Sequence, residues 1–201
     1  MNKHFVWMAF VAVFCFLSSC TLCEDRAAKN ALEEIRAYFP YFMDNPELHF
    51  VNQTTKEKMM FTYTIWDSEE AEAYPYFSTN SGDWYARKSI KVSLPNGKRT
   101  GSISCNINGW STGEVDIHFG VTLFPSDQEG YSGSWGPIMV PKNKNYIDYL
   151  TDTIMLPVRE VFYGSRDSIS PKAYYRIVKG KGLTDFSFDG KTVWRLDPYY
   201  N

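Results

Sequence analysis

Alternating apolar and polar positions dominate the chain from residue 47 onward, and this period of two predicts β-strands. The segment 115–123 is apolar at every odd-numbered position and mainly polar at the even ones. The segments 90–94 and 103–107 alternate in the same way, and Pro95-Asn96-Gly97-Lys98 between them supplies turn chemistry. Further strand patterns occur at residues 47–52, 59–66, 146–156, 172–179, 183–188 and 192–196. Short turns and little helix predict a mainly β fold, an antiparallel β-sandwich or β-barrel of about eight strands.

Two stretches interrupt this alternation. Residues 125–145 contain several glycines and prolines and are expected to form a long irregular excursion. The acidic run from Asp67 to Glu72 is expected to be a solvated loop. Clustered carboxylates can hold Ca²⁺, but the spacing in this run matches no EF-hand loop.

A helical period precedes the strands. Ala28, Leu32, Ile35 and Phe39 recur at spacings of four, three and four, and Pro40 ends the pattern. The segment is either a tether with one or two helical turns or a helix that packs on the domain. Packing is favoured, because the apolar side chains would otherwise be exposed.

The first residues have the character of an export signal. Lys3 precedes an apolar run from Phe5 to Leu17, which is shorter than the roughly 20 residues that a membrane span needs. Leu17-Ser18-Ser19-Cys20 resembles the bacterial lipobox, whose cysteine takes a diacylglycerol and becomes the N-terminus after cleavage. Thr21 follows, in place of the Asp that commonly signals inner-membrane retention. The resemblance therefore implies a lipid anchor in the outer membrane, with the domain facing the periplasm or the cell surface.

This interpretation divides the chain into three parts. Residues 1–19 are a lipoprotein signal peptide, 20–38 a lipidated N-terminus with a tether or short helix, and 39–201 a single β-rich domain. Lipidation of Cys20 leaves Cys23 and Cys105 as thiols. An exported compartment permits a disulfide between these two, and two free thiols are the alternative.

Composition narrows the classes of function. The chain is 44% hydrophobic and 22% charged, which is ordinary for a globular protein. A net charge of −2 without a long Lys/Arg run argues against nucleic-acid binding. Three His and four Cys residues argue against a large metal cluster. We therefore predict no metal and no cofactor.

Catalytic motifs are absent from the sequence: it contains no G-x-S-x-G elbow, no H-E-x-x-H pair and no phosphate-binding glycine loop. His118 shares a polar strand face with Asp116, and Asp185 and Asp189 flank a hairpin turn. A solvated histidine and ordinary turn chemistry account for these residues. The protein is predicted not to be an enzyme.

Aromatic clusters are the strongest binding signal. Tyr74, Tyr76, Trp84, Tyr85 and Trp135 are candidate binding residues, in a chain that is 17% aromatic. Tyrosine and tryptophan side chains in loops can stack on sugar rings or anchor a protein partner. The same side chains can instead fill a small core.

Two further resemblances concern the source of the chain. Asp152-Thr153-Ile154 and Asp167-Ser168-Ile169 resemble an O-glycosylation signal of some Gram-negative gut anaerobes, which makes Thr153 and Ser168 candidate sites. The lipobox, Tyr38-Phe39-Pro40-Tyr41 and the closing segment 179–194 resemble small lipoproteins of those bacteria. That resemblance implies an exported β-rich domain and no established activity.

The leading expectation is a non-enzymatic binding or structural lipoprotein of the outer membrane, which contacts a glycan or a protein partner through aromatic loops. The first alternative is a calycin-like or lipocalin-like carrier of a small lipophilic ligand, since barrels of eight strands are wide enough for one. The second alternative is a hydrolase that uses His118 or paired carboxylates.

Overall fold

A computed structural model describes residues 23–40, 47–64, 69–74, 82–162 and 169–197. It shows one N-terminal helix, α1 (residues 23–36), and a closed antiparallel barrel of ten strands. Eleven strands are described, and all except β3 form the barrel. They are β1 (Glu47–Asn52), β2 (Lys58–Thr64), β3 (Glu69–Ala73), β4 (Trp84–Ser93), β5 (Thr100–Gly109), β6 (Val115–Leu123), β7 (Gly130–Val140), β8 (Thr153–Phe162), β9 (Tyr174–Val178), β10 (Gly182–Ser187) and β11 (Trp194–Leu196). The prediction of a mainly β fold is confirmed, and the structure decides for a barrel over a sandwich. The predicted number of about eight strands is corrected to ten.

The barrel closes through β2 and β4. Thr62, Tyr63 and Thr64 pair with Ser93, Val92 and Lys91 across this seam. Strand β3 then continues along the first half of β4, pairing Glu69 with Lys88 and Ala73 with Trp84. The outer face of β3 therefore adjoins the outer faces of β4 and β5.

Inward-facing side chains fill the centre of the barrel. Strand alternation turns every second residue inward, and the largest of these side chains are almost fully buried: Phe50, Phe61, Phe119, Tyr175 and Phe186. Phe50, Phe61 and Phe186 contact one another edge to face, with a centroid distance of 4.9 Å between Phe50 and Phe186. Such pairs add about 0.5–1.5 kcal/mol to the free energy gained by burial alone.

Helix α1 covers one end of the barrel, and the prediction of a packed helix is confirmed. Ala28, Ala31, Leu32 and Ile35 lie on one helical face and are buried. Beyond the helix, the Tyr38 side chain reaches into the barrel. Its ring lies 5.2 Å from that of Phe119, and its hydroxyl donates a 2.8 Å hydrogen bond to the Thr151 carbonyl.

Ion pairs hold α1 on both sides. Lys179, in the turn after β9, lies 3.2 Å from the Glu34 carboxylate. Arg36 binds Glu69 of β3, and Lys88 lies 3.5 Å from the same carboxylate. Burial acts to raise the pKa of Glu69, but the Arg36 hydrogen bond and the Lys88 charge outweigh it and lower that pKa.

Three local expectations from the sequence are wrong. The excursion expected at residues 125–145 contains β7, and the acidic run overlaps β3. The strand expected at residues 146–156 begins with a short 3₁₀ helix, Tyr146–Tyr149, and β8 starts only at Thr153. No helix in the described part of the chain is long and apolar enough to cross a membrane.

Candidate ligand groove on the outer face

Two rows of polar side chains run across the outer face of β3 to β6. In the first row, Glu70 pairs with Arg87, Arg87 with Asn106, and Asn106 with His118. In the second row, Glu72 pairs with Tyr85, Tyr85 with Asn108, and Asn108 with Asp116. Directly opposed residues have their Cβ atoms about 4.5–5.5 Å apart. Four separate strands therefore contribute to one continuous polar surface.

A groove of about 420 Å³ lies on this surface. We call it the outer groove, and it is lined by Glu70, Tyr74, Tyr85, Arg87, Asn106 and Asn108. Its volume falls in the range of sites that bind small molecules, about 300–1,000 Å³. It combines two aromatic rings with a carboxylate, a guanidinium and two amides.

The aromatic side of the groove is formed by Tyr74 and Tyr85. Their ring centroids lie 5.8 Å apart and the ring planes are inclined by 46°. The Tyr85 hydroxyl donates to Glu72 at 3.0 Å and approaches Glu70 at 3.4 Å. Partial burial and the hydrogen bond with Glu72 raise the pKa of Tyr85 to about 12. Tyr85 is therefore a neutral hydrogen-bond donor at physiological pH.

The polar side of the groove contains one ion pair and one amide bond. Arg87 donates to the Glu70 carboxylate at 2.8 Å, and Asn108 Nδ2 donates to Asp116 Oδ1 at 2.7 Å. Asn106 lies between these pairs, and its Oδ1 is buried without a hydrogen-bond donor among the described residues. A buried acceptor without a donor lowers the free energy of unfolding by about 1–3 kcal/mol.

The five candidate aromatic residues separate into two environments. Tyr74 and Tyr85 meet in the outer groove. Trp84 and Trp135 are partly buried against the core, and the Trp135 ring lies 5.8 Å from that of Phe119. Tyr76 lies outside the described residues. The structure therefore brings together two of the candidates and gives two others packing contacts.

The remaining candidate residues are dispersed. Cys20 and Ser168 lie outside the described residues, and Thr153 is exposed at the start of β8. Cys23 is exposed and Cys105 is buried, and both are free thiols. The candidate disulfide between Cys23 and Cys105 is therefore not formed in this structure, and burial raises the pKa of the Cys105 thiol.

The candidate catalytic and metal-binding groups are held by local contacts. Asp185 accepts hydrogen bonds from Tyr174 and Thr184, whereas Asp189 accepts from the backbone of its own turn. Glu69 points to the helix side, away from Glu70 and Glu72 in the acidic run. Among the described residues, no three His, Cys, Asp or Glu side chains are grouped to hold a metal ion.

Sequence reasoning missed four residues of the groove: Glu70, Arg87, Asn106 and Asn108. The sequence contained information that could have identified the two asparagines and Arg87. The predicted hairpin around Pro95-Asn96-Gly97 sets the register that pairs Arg87 with Asn106 and Tyr85 with Asn108. Glu70 had no such signal, because its charged segment does not resemble a strand.

Comparison with known proteins gives no relative from which a function could be carried over. No family model, no curated protein and no solved structure matches this chain. The chemistry of the groove is therefore the basis for a functional proposal.

Proposed function

We propose that this protein is a non-enzymatic lipoprotein of the outer membrane that binds carbohydrate in the outer groove. The observation that carries the proposal is the joining of the Tyr74 and Tyr85 rings to a row of amide, carboxylate and guanidinium groups. Carbohydrates have apolar ring faces and a periphery of hydroxyl groups. A groove with aromatic rings on one side and mixed donors and acceptors on the other matches both features.

The polar groups supply directional contacts for sugar hydroxyls. Glu70 and Asn106 offer acceptors, while Arg87 and Asn108 offer donors. The Arg87–Glu70 pair is nearly half exposed on both sides, and exposed ion pairs contribute only about 0–1 kcal/mol. When this pair opens, a ligand hydroxyl can donate a hydrogen bond to Asn106 Oδ1. Part of the binding free energy then comes from satisfying an acceptor that is buried without a donor among the described residues of the free protein.

The membrane location in this proposal rests on the lipobox-like Leu17-Ser18-Ser19-Cys20. Acylation of Cys20 would leave only Thr21 and Leu22 between the lipid anchor and α1. The anchor would thus hold the barrel close to the membrane, with the outer groove on its side wall.

A closed barrel is also compatible with a carrier of a small lipophilic ligand. In this barrel, however, the central side chains Phe50, Phe119 and Phe186 are already packed and fully buried. A ligand at the centre would have to displace such side chains, at a cost of several kcal/mol. Binding in the outer groove requires no such displacement, so we place the ligand there.

The test is a glycan-binding measurement on the full chain in mild detergent. Immobilised neutral, acidic and amino-sugar glycans are screened first, and each hit is then titrated by calorimetry. We expect at least one glycan class to bind, with affinity lowered about tenfold or more by Tyr85→Ala, because one stacked ring is worth about 1–3 kcal/mol in comparable aromatic sites.

Trp110→Ala is the matched control, because Trp110 is an exposed aromatic residue outside the groove. It should leave glycan affinity unchanged. Failure of the wild-type chain to bind any glycan, or equal affinity of the wild type and Tyr85→Ala, would refute the groove as a carbohydrate site.

A further inference from the structure

The large exposed apolar side chains are gathered in one half of the barrel. In the described residues they are Tyr74, Trp110, Met139, Ile147 and Met155, each 39–52% exposed. All five lie in the half that α1 covers, where β4 begins, β5 ends and β7 ends. Scattered exposed apolar residues are normal on a protein, and Tyr74 already lines the outer groove. Trp110 and Ile147 differ from the two methionines because both lie on loops at this end of the barrel.

Trp110 is held at the tip of the β5–β6 hairpin. Its backbone N–H donates to Glu114 O at 2.9 Å, and Gly113 N–H donates back to Trp110 O at 2.7 Å. Gly113 has φ +85°, a left-handed conformation that glycine adopts without strain. The turn therefore presents the indole, which is 43% exposed, from a defined backbone.

Ile147 lies on the neighbouring connection between β7 and β8. Asn145 Oδ1 accepts from Ile147 N–H at 3.2 Å and caps the short 3₁₀ helix. Tyr146 packs against Trp84, with ring centroids 6.2 Å apart, which fixes this connection to the barrel. The side chain of Lys142 runs beside Gly113, so the two loops adjoin. We call the loops 110–114 and 141–147 together the barrel rim.

The chain enters the fold beside this rim. A Cβ atom built on Gly82 would lie 3.7 Å from Glu24 Oε1 at the start of α1 and 3.0 Å from Cβ of Ser111. Cys23 is the first described residue, and the apolar run ends at Leu17. Six residue steps span at most about 20 Å. A membrane that holds the apolar run therefore lies within reach of the rim. The same is true of a membrane that holds a lipid on Cys20.

We propose that the barrel rim rests on a lipid bilayer, with Trp110 and Ile147 inserted at the level of the headgroups. Tryptophan is suited to this position because it has an apolar ring and an N–H donor. The exposed charges of the rim are Lys142, Lys144 and Glu114, and the exposed Asp148 directly after the rim balances them. Insertion therefore depends on apolar contact and does not require anionic lipid. The proposal rests on the proposed membrane attachment and is independent of glycan binding.

The test uses the acylated chain that begins at Cys20, which lacks Trp7, reconstituted into phosphatidylcholine vesicles with brominated acyl chains. Bromine quenches tryptophan fluorescence at short range, and identical vesicles without bromine give the reference. We expect Trp110→Phe to remove the share of quenching that belongs to one of the five tryptophans that remain after residues 1–19 are removed. Trp194→Phe, at the other end of the barrel, is the matched control and should leave the quenching due to Trp110 intact.

Ile147→Asp keeps all five remaining tryptophans and provides a second variant. It should also reduce quenching, because a carboxylate does not enter the apolar interface. Equal quenching of the wild type, Trp110→Phe and Ile147→Asp on vesicle-bound chains would overturn the rim proposal and leave the attachment standing. Failure of the wild-type chain to remain with the vesicles on flotation would overturn both.

Discussion

The indole ring of Trp84 lies directly over Gly109 on the neighbouring strand. A Cβ atom added to Gly109 would fall 2.0 Å from Cε2 of that ring, well inside van der Waals contact. Trp84 and Gly109 are cross-strand partners at the ends of β4 and β5. The glycine therefore makes room for the ring, and Trp84 packs against the core while its neighbour Tyr85 faces the outer groove.

Gly109→Ala is expected to lower the free energy of unfolding by about 2 kcal/mol, since the ring must leave its position to avoid the new methyl group. Urea denaturation followed by far-UV circular dichroism measures the change. Gly120→Ala is the control, because the nearest atom there is the rotatable Ser104 hydroxyl at 3.1 Å. Equal stability of the Gly109→Ala variant and the wild type would contradict the contact.

Trp84→Ala should mainly lower stability, whereas Tyr85→Ala should mainly lower glycan affinity. Loss of the partly buried Trp84 ring is expected to cost about 3 kcal/mol of unfolding free energy. Loss of the Tyr85 ring should cost less than 1 kcal/mol and lower glycan affinity about tenfold or more. Denaturation and calorimetry on both variants separate the two roles. A stable Trp84→Ala variant that fails to bind would assign the ligand contact to Trp84 instead.

Asn106→Leu should keep or increase stability while it weakens binding. The substitution removes the buried acceptor that has no donor among the described residues, and a leucine side chain of similar volume leaves no such group. The unfolding free energy should rise by about 1 kcal/mol or stay unchanged. Glycan affinity should fall, because the ligand loses its acceptor. A large loss of stability would show that Asn106 Oδ1 has a partner in the folded protein.

Tyr38→Phe tests how the segment after α1 is attached to the barrel. The Tyr38 hydroxyl donates to Thr151 O at 2.8 Å, and its removal leaves that carbonyl without this donor. The expected cost is about 1–2 kcal/mol, with faster hydrogen exchange in α1. Tyr74→Phe, which removes a hydroxyl from an exposed ring, is the control. Unchanged exchange in α1 would mean that other contacts alone hold the helix.

The lowered pKa of Glu69 predicts that its contribution to stability depends on pH. Its pKa is lowered in the folded state, since the Arg36 hydrogen bond and the Lys88 charge outweigh burial. The charged form is therefore stabilising above the unfolded pKa of about 4.3, and this contribution is lost as the pH falls through the lowered folded pKa. The difference in unfolding free energy between wild type and Glu69→Gln should be full at neutral pH and shrink in acid.

Urea denaturation at several pH values measures this difference. Glu160→Gln changes an exposed carboxylate on β8 and should show no comparable dependence on pH. A difference between wild type and Glu69→Gln that stays constant from neutral to strongly acidic pH would contradict the lowered pKa.

Alternation in the sequence predicted much of the barrel wall. It placed β1 at its observed bounds, Glu47–Asn52, and it put Asp116 and His118 on the face opposite Phe119. It failed for β7, where glycine, serine and proline occupy six of the first eight positions and mimic a loop. These residues form a strand because β6 and β8 supply hydrogen-bonding partners on both sides. Tertiary pairing here outweighs a weak intrinsic preference.

Where the alternation is clear, as in β5 and β6, the sequence by itself determined which residues face inward and which face outward, because a period of two is a local property of the chain. It also located Tyr74 and Tyr85 among the candidate binding residues. Only the tertiary structure decided that they meet Arg87, Asn106 and Asn108 in one groove. Those neighbours come from separate strands, and their proximity depends on the register of β3 on β4 and of β4 on β5. Register is set by hydrogen bonds between distant segments and by packing of the whole barrel.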